Sequence, residues 1–122
     1  MHRNLGVNMA ILIALMQHPV VGRSIEYADN RISLYAAQKG RCAVTGQELL
    51  LDEIHCHHKK PANAGGTDSY SNLVIVHVEV HRLIHATDME KVKSYLAELN
   101  LSPVMLKKVN KFRQMASLKP VS

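Results

Sequence analysis

The sequence predicts an α+β fold, mainly helical, in which a short hairpin and one helix form a core flanked by N-terminal and C-terminal helices. Three observations point to it. The apolar residues are Leu, Ile, Val, Ala and Met with one Phe and no Trp, so the core is aliphatic and suits helices. Helical period holds near both ends, whereas Leu49 to His58 gives it up for an extended look and, after a run of turn residues, Leu73 to Val76 is short and β-branched. At 122 residues, the chain is expected to form one domain (residues 1–122), without room for a second catalytic one.

Each element follows from local chemistry. Val7 to Gln17 reads as a strongly apolar helix closed by His18-Pro19, because proline forbids continuation. Its apolar run, Met9 to Met16, falls far short of the roughly 20 residues a bilayer span needs. It also lacks a small-x-small cleavage site, so it is expected to pack in the fold or against a partner, not to enter a membrane. Asp29-Asn30 offers cap side chains for a helix from Arg31 to Lys39, with Ile32, Tyr35 and Ala36 on its apolar face and Gly40 as its stop.

Leu49 to His58 reads as a strand, with Ile54, Cys56 and His58 on one face and His55 and His57 on the other. Lys59 to Ser71 holds Pro61, Asn63, Gly65, Gly66, Asp68 and Ser69, the composition of a loop that reverses the chain. Leu73 to Val76 returns as the second strand. His77, His81 and His85 then recur every four residues, along one side of a helix. Asp88 caps a further helix to about Leu99, with Val92, Tyr95, Leu96 and Leu99 as its buried stripe; Ser102-Pro103 starts the last, running to about Ser117.

Charge narrows the class of partner. Fifteen Lys and Arg against ten Asp and Glu give +5, which favours a polyanion such as nucleic acid. Leu101 to Ser122 carries Lys107, Lys108, Lys111, Arg113 and Lys119 with no acidic residue, a basic tail suited to phosphates. Cys42 and Cys56 form no CxxC pair and no disulfide framework, so a reduced, cytoplasmic setting is expected.

The chemistry concentrates in EIHCHHKKP, Glu53 to Pro61. Chain reversal brings the end of the first strand beside the helix after the second, so His57 or His58 can face His81 and His85. Imidazoles four apart on a helix sit close enough to share one divalent ion, and a third from the strand leaves open positions for water and substrate. Neighbours in a strand point to opposite faces, so one of His57 and His58 can ligate while the other accepts a proton. An unperturbed imidazole, with a pKa near 6.5, suits that second task.

HHKKP, then GG-x-D, then NL, then HRLIH resembles the HNH, or ββα-metal, endonuclease motif across residues 41–86. The resemblance implies a ββα-metal core and hydrolysis of DNA phosphodiester bonds. It implies that His57, His81 and His85 bind one divalent ion, that His58 is the general base, and that Asn72 braces the hairpin and orients His58. Preference for His57 over His55, which shares its strand face, rests on this resemblance. Mg²⁺ or Mn²⁺ is the ion expected, with Zn²⁺ or Ni²⁺ compatible with imidazole ligands. Lys59, Lys60 and Arg82 would grip neighbouring phosphates.

The helical residues 1–40, with HPVVGRSIEYADNRISLYAAQKGRCAVTG running into the motif, and the basic helical tail at residues 87–122 resemble the C-terminal end of group II intron-encoded reverse transcriptase/maturases. That likeness implies intron RNA and the reverse transcriptase domains of a parent protein as partners. Tyr27-Ala28-Asp29-Asn30 echoes a polymerase aspartate motif, but Asn30 replaces a carboxylate and the segment reads as a helix cap. Where such domains carry two CxxC knuckles for a structural zinc, this chain has Cys42 with Thr45 and His77 with Val80, and apolar or hydrogen-bonded packing is expected instead.

His2 and His18 receive no role. His77 either bonds a backbone group or supports the metal site, and Cys56 reads as a buried thiol. The competing function is a non-catalytic, metal-stabilised nucleic-acid-binding module, whose folding needs metal and which cuts no strand.

Overall fold

The computed structural model describes residues 7–122, and His2 lies outside them. The described residues form five α-helices, three short 3₁₀ turns and one two-stranded antiparallel sheet, a mainly helical α+β arrangement with the hairpin at its centre. None of these helices is long and apolar enough to cross a membrane.

Helix α1 (Met9–Gln17) starts where the Asn8 side chain accepts the N–H groups of Ala10 and Ile11, and it ends ahead of Pro19 as expected. It buries Leu15 and leaves Met9, Ile13 and Met16 exposed. Helix α2 (Ile25–Ala37) begins earlier than the sequence reading places it. Ser24 is its cap, with Oγ accepting the Tyr27 N–H at 3.0 Å, and Glu26 in the first turn complements the helix dipole. Asp29 and Asn30 therefore lie inside the helix, where the Asn30 amide donates to the Asp68 carbonyl at 2.8 Å. Its buried face is Tyr27, Leu34 and Tyr35, whereas Ala36 is exposed. Gly40 follows with φ +71°, and a Cβ there would stand 2.9 Å from the Tyr35 hydroxyl.

The first strand is shorter than expected. Leu51–Glu53 forms a 3₁₀ turn because the Glu53 carboxylate accepts the Leu50 N–H at 2.8 Å, and β1 covers only Ile54–His58. Strand β2 (Leu73–His77) pairs with it so that His57 stands opposite Val74 and His58 opposite Leu73. Leu73 through Val76 are all buried, as a strand covered on both faces requires. Between the strands, Gly66 passes so close to the chain that a Cβ would meet the Lys60 carbonyl oxygen at 1.8 Å. No other residue type fits that position unshifted.

Helix α3 (Val78–His85) is capped by His77, whose Nδ1 accepts the Glu79 N–H at 3.0 Å. The His77 N–H in turn donates to Cys42 Sγ at 3.3 Å, and His77 Nε2 faces Glu53 at 3.3 Å, so this corner is knitted by hydrogen bonds. Helices α4 (Met89–Leu99, capped by Asp88) and α5 (Pro103–Met115, capped by Ser102) follow the sequence expectation. Val92 is buried, and Tyr95, Leu96 and Leu99 pack partly buried beside it.

Arg113 of α5 is only 4% exposed. Its Nη1 donates to the carbonyls of Leu83, Ile84 and Ala86 at 2.9, 3.2 and 2.8 Å, and its Nε donates to the Lys119 carbonyl at 2.6 Å. The terminal carbonyls that a helix cannot satisfy internally thus find a cationic donor, which also suits the negative end of the helix dipole.

Candidate functional site

Pleat and helical period together decide which imidazoles meet. β1 sends His55 and His57 toward α3 and turns Cys56 and His58 toward α2, where Tyr27 donates its hydroxyl proton to the Cys56 carbonyl at 3.0 Å and stacks on His58 at 5.5 Å. On α3, His81 and His85 lie one turn apart with ring centroids 4.6 Å from each other. A nitrogen from each of His57, His81 and His85 falls within 4.8 Å of the other two. The three grade outward, with His57 buried, His81 half-buried and His85 exposed. His55 stacks on His81 with ring centroids 3.6 Å and planes 25° apart, and no nitrogen of His55 joins that group of three. Geometry therefore groups His57, not His55, with the helix pair.

Burial sets the protonation of this cluster. Desolvation first, and the neighbouring imidazoles second, push His57 and His81 down to about 3 and His55 down to about 4. Burial and then the Arg113 guanidinium lower His85 as well. Four neutral rings at neutral pH offer lone pairs, the form a metal ligand needs.

His57 Nδ1 lies 3.3 Å from His81 Nδ1. Two nitrogens bound to one tetrahedral ion at about 2.0–2.1 Å stand about 3.3–3.4 Å apart, so the pair fits a shared cation. The opposite atom, His57 Nε2, is buried without a hydrogen-bond partner, while the Phe112 ring packs against this imidazole with centroids 5.7 Å apart. The donor set fits a single divalent ion at His57, His81 and His85.

His58 sits at the edge of the cluster and is held from its other side. Its Nε2 bonds to Asp68 Oδ1 at 2.7 Å, and Asp68 Oδ2 accepts the Ser24 hydroxyl proton at 2.6 Å. These hydrogen bonds, Ser24 first and His58 second, hold the Asp68 carboxyl below the usual carboxylate range. A cleft of about 370 Å³ is lined by His55, His58, His81 and His85 together with Arg23, Pro61, Ala62 and Asn63. The larger groove, about 790 Å³, lies on α5 among Lys107, Lys108 and Lys111 and contains no histidine.

Asn72 makes three bonds across the loop: it accepts the Lys60 N–H at 2.9 Å and donates to the carbonyls of Lys60 and Thr67 at 3.1 and 2.8 Å. Its amide ties the two ends of the reversal together and reaches His58 only through that loop. Lys59 and Lys60 do not line the histidine cleft. They border a separate hollow of about 380 Å³ with Asn72, Met115 and Ser117, and Lys59 Nζ donates to the Ser71 carbonyl at 3.1 Å. Arg82 pairs with Glu79 at 2.6 Å and lines a third hollow beside His81, His85 and Lys91.

The cation in the cleft itself is Arg23, its guanidinium carbon 5.2 Å from the centre of the Tyr27 ring. Sequence reasoning passed over Arg23, Ser24 and Asp68. Asp68 stands in the GG-x-D segment and so carried a local signal, whereas Ser24 reaches it across 44 positions and carried none. Among curated proteins and among solved structures nothing gives a significant match to the chain. Residues 40–87, the stretch that holds the hairpin and α3, match the family model of the HNH endonucleases, which with the histidine triad supports a nuclease-type function.

Proposed function

We propose that this chain is a metal-dependent DNA endonuclease that hydrolyses phosphodiester bonds, with residues 1–122 acting as one module. The observation that carries the reading is the convergence of His57, His81 and His85 nitrogens within 4.8 Å, beside His58 in an open cleft. In this reading the three neutral imidazoles hold the ion and His58 takes a proton from water. The water oxygen forms the new bond to phosphorus, the bond from phosphorus to the 3′ oxygen breaks, and the leaving oxygen takes a proton from solvent. The ion, Mg²⁺ or Mn²⁺ with Zn²⁺ or Ni²⁺ also compatible, supplies Lewis-acid stabilisation of the charge on the phosphate and leaving oxygen. Arg23 faces the phosphate at the cleft, Asn72 keeps the loop beneath His58 in register, and Lys59, Lys60 and Arg82 contact phosphates on either side.

The likeness of the flanking residues to group II intron-encoded proteins supports a finer reading. The chain would be the DNA-cleaving module of such a protein, working with intron RNA and reverse transcriptase domains. Incubating supercoiled plasmid with Mg²⁺ or Mn²⁺ is expected to give nicked or linear DNA, with EDTA and His58→Ala each abolishing it. Cutting that persists in His58→Ala would remove His58 from its role. Metal-dependent folding with salt-sensitive DNA binding, but no scission under any ion, would establish the binding-module alternative instead.

A further inference from the structure

We propose that Asp68 is the positioning residue for His58 and that Ser24, the N-cap of α2, holds Asp68 in place. The inference rests on the endonuclease reading of the same site. Asp68 is ionised at neutral pH and can only accept hydrogen bonds, so at 2.7 Å it takes the proton of His58 Nε2. The proton is thereby assigned to Nε2, and the lone pair on Nδ1 is left as the base that can meet a water in the cleft.

A carboxylate on a loop would be a loose anchor by itself. Here its second oxygen is pinned by the Ser24 hydroxyl at 2.6 Å, and its backbone carbonyl accepts the Asn30 amide at 2.8 Å. Ser24 Oγ is itself fixed by accepting the Tyr27 N–H, and the Tyr27 ring stacks on the His58 imidazole. The N-terminal end of α2, from its cap Ser24 to Asn30, thus grips Asp68 by both its side chain and its backbone, and through Tyr27 packs on the very ring that Asp68 orients. A buried or half-buried carboxylate that fixes an imidazole tautomer and orientation is a recognised means of making a general base effective. Asp68 touches neither the cluster His57, His81, His85 nor the reacting atoms, so its removal should slow the chemistry without disturbing metal binding.

The test compares wild type, Asp68→Ala and Ser24→Ala in the 122-residue chain. Single-turnover plasmid cleavage with Mn²⁺ gives rate and apparent KM, titration with Zn²⁺ checks the triad, and proton NMR follows the hydrogen-bonded imidazole N–H resonance. Asp68→Ala is expected to lower the cleavage rate about 100-fold or more, with KM and Zn²⁺ affinity each within about threefold of wild type. It should also lose a protected downfield N–H signal. Ser24→Ala is expected to fall by about three- to tenfold and to broaden that signal, since the carboxylate remains but is no longer pinned.

Cleavage by Asp68→Ala within threefold of wild type would overturn the inference, and so would a matching loss of Zn²⁺ affinity, which marks a merely structural role. Retention of the downfield signal in Asp68→Ala would do the same. A wild-type chain that never cleaves DNA is a different failure: it removes the nuclease reading and this inference with it, whereas a cutting wild type with an indifferent Asp68→Ala sinks the inference alone.

Discussion

His57 is fully enclosed and keeps one ring nitrogen without a partner, an arrangement that costs about 1–3 kcal/mol for a buried polar atom. Such a cost has consequences for pH. In the unfolded chain an imidazole titrates near 6.5, whereas in the fold His57 and His81 are held down to about 3 and His55 to about 4. Below about pH 6.5 the unfolded state therefore binds more protons than the folded one, and stability falls as the solution is acidified. We expect the melting temperature of the metal-free chain to drop steadily from pH 7 to pH 4.5, and His57→Leu to flatten that drop; a flat wild-type profile would contradict the assigned shifts. Much of this cluster was legible, because spacing of four on a helix and alternation on a strand are local properties of residues 55–58 and 81–85. The hydrogen bonds that hold His58 were not, since Ser24 and Asp68 meet only once α2 has docked against the loop.

Among the elements, the helices are more legible than the strands. Capping chemistry at Asp88 and Ser102 is written in three or four consecutive residues, and the helices start there. The start of α2 is hidden because two sets of cap-forming residues compete, and Ser24 wins by taking the Tyr27 N–H while Asn30 is drawn to Asp68 instead. The first strand reads too long because the apolar run Leu49 to Leu51 leads without a turn residue into the alternation of Ile54 to His58, yet the Glu53 carboxylate folds the first half into a turn. The closure of α3 is equally hidden, as Arg113 reads as one more charge in a basic tail. Arg113→Ala should leave several buried carbonyls unpaired and destabilise the fold by about 2–4 kcal/mol, with Arg113→Lys recovering only part. Urea unfolding with an unchanged slope and a lower midpoint is the expected record; an unmoved midpoint would show that water replaces the guanidinium at no cost.

For the molecule as a whole, net charge and its placement decide how a polyanion is met. The excess of +5 is spread so that Lys107, Lys108 and Lys111 border the α5 groove, while Lys59 and Lys60 border the hollow that reaches the end of the same helix at Met115. Replacing the three α5 lysines by Gln should weaken DNA binding for all sequences alike and lower the slope of log affinity against log salt by roughly 0.9 for each phosphate no longer neutralised. A slope identical to wild type would place the duplex elsewhere. Two of the residues that shape the site come from beyond the stretch matching the HNH family: Ser24 fastens the loop from one side, and Arg113 fastens α3 from the other. A protein engineer who trims the chain to residues 40–87, or transplants that cassette into a new host, would carry over every histidine of the centre and yet inherit an unmoored hairpin and a fraying helix.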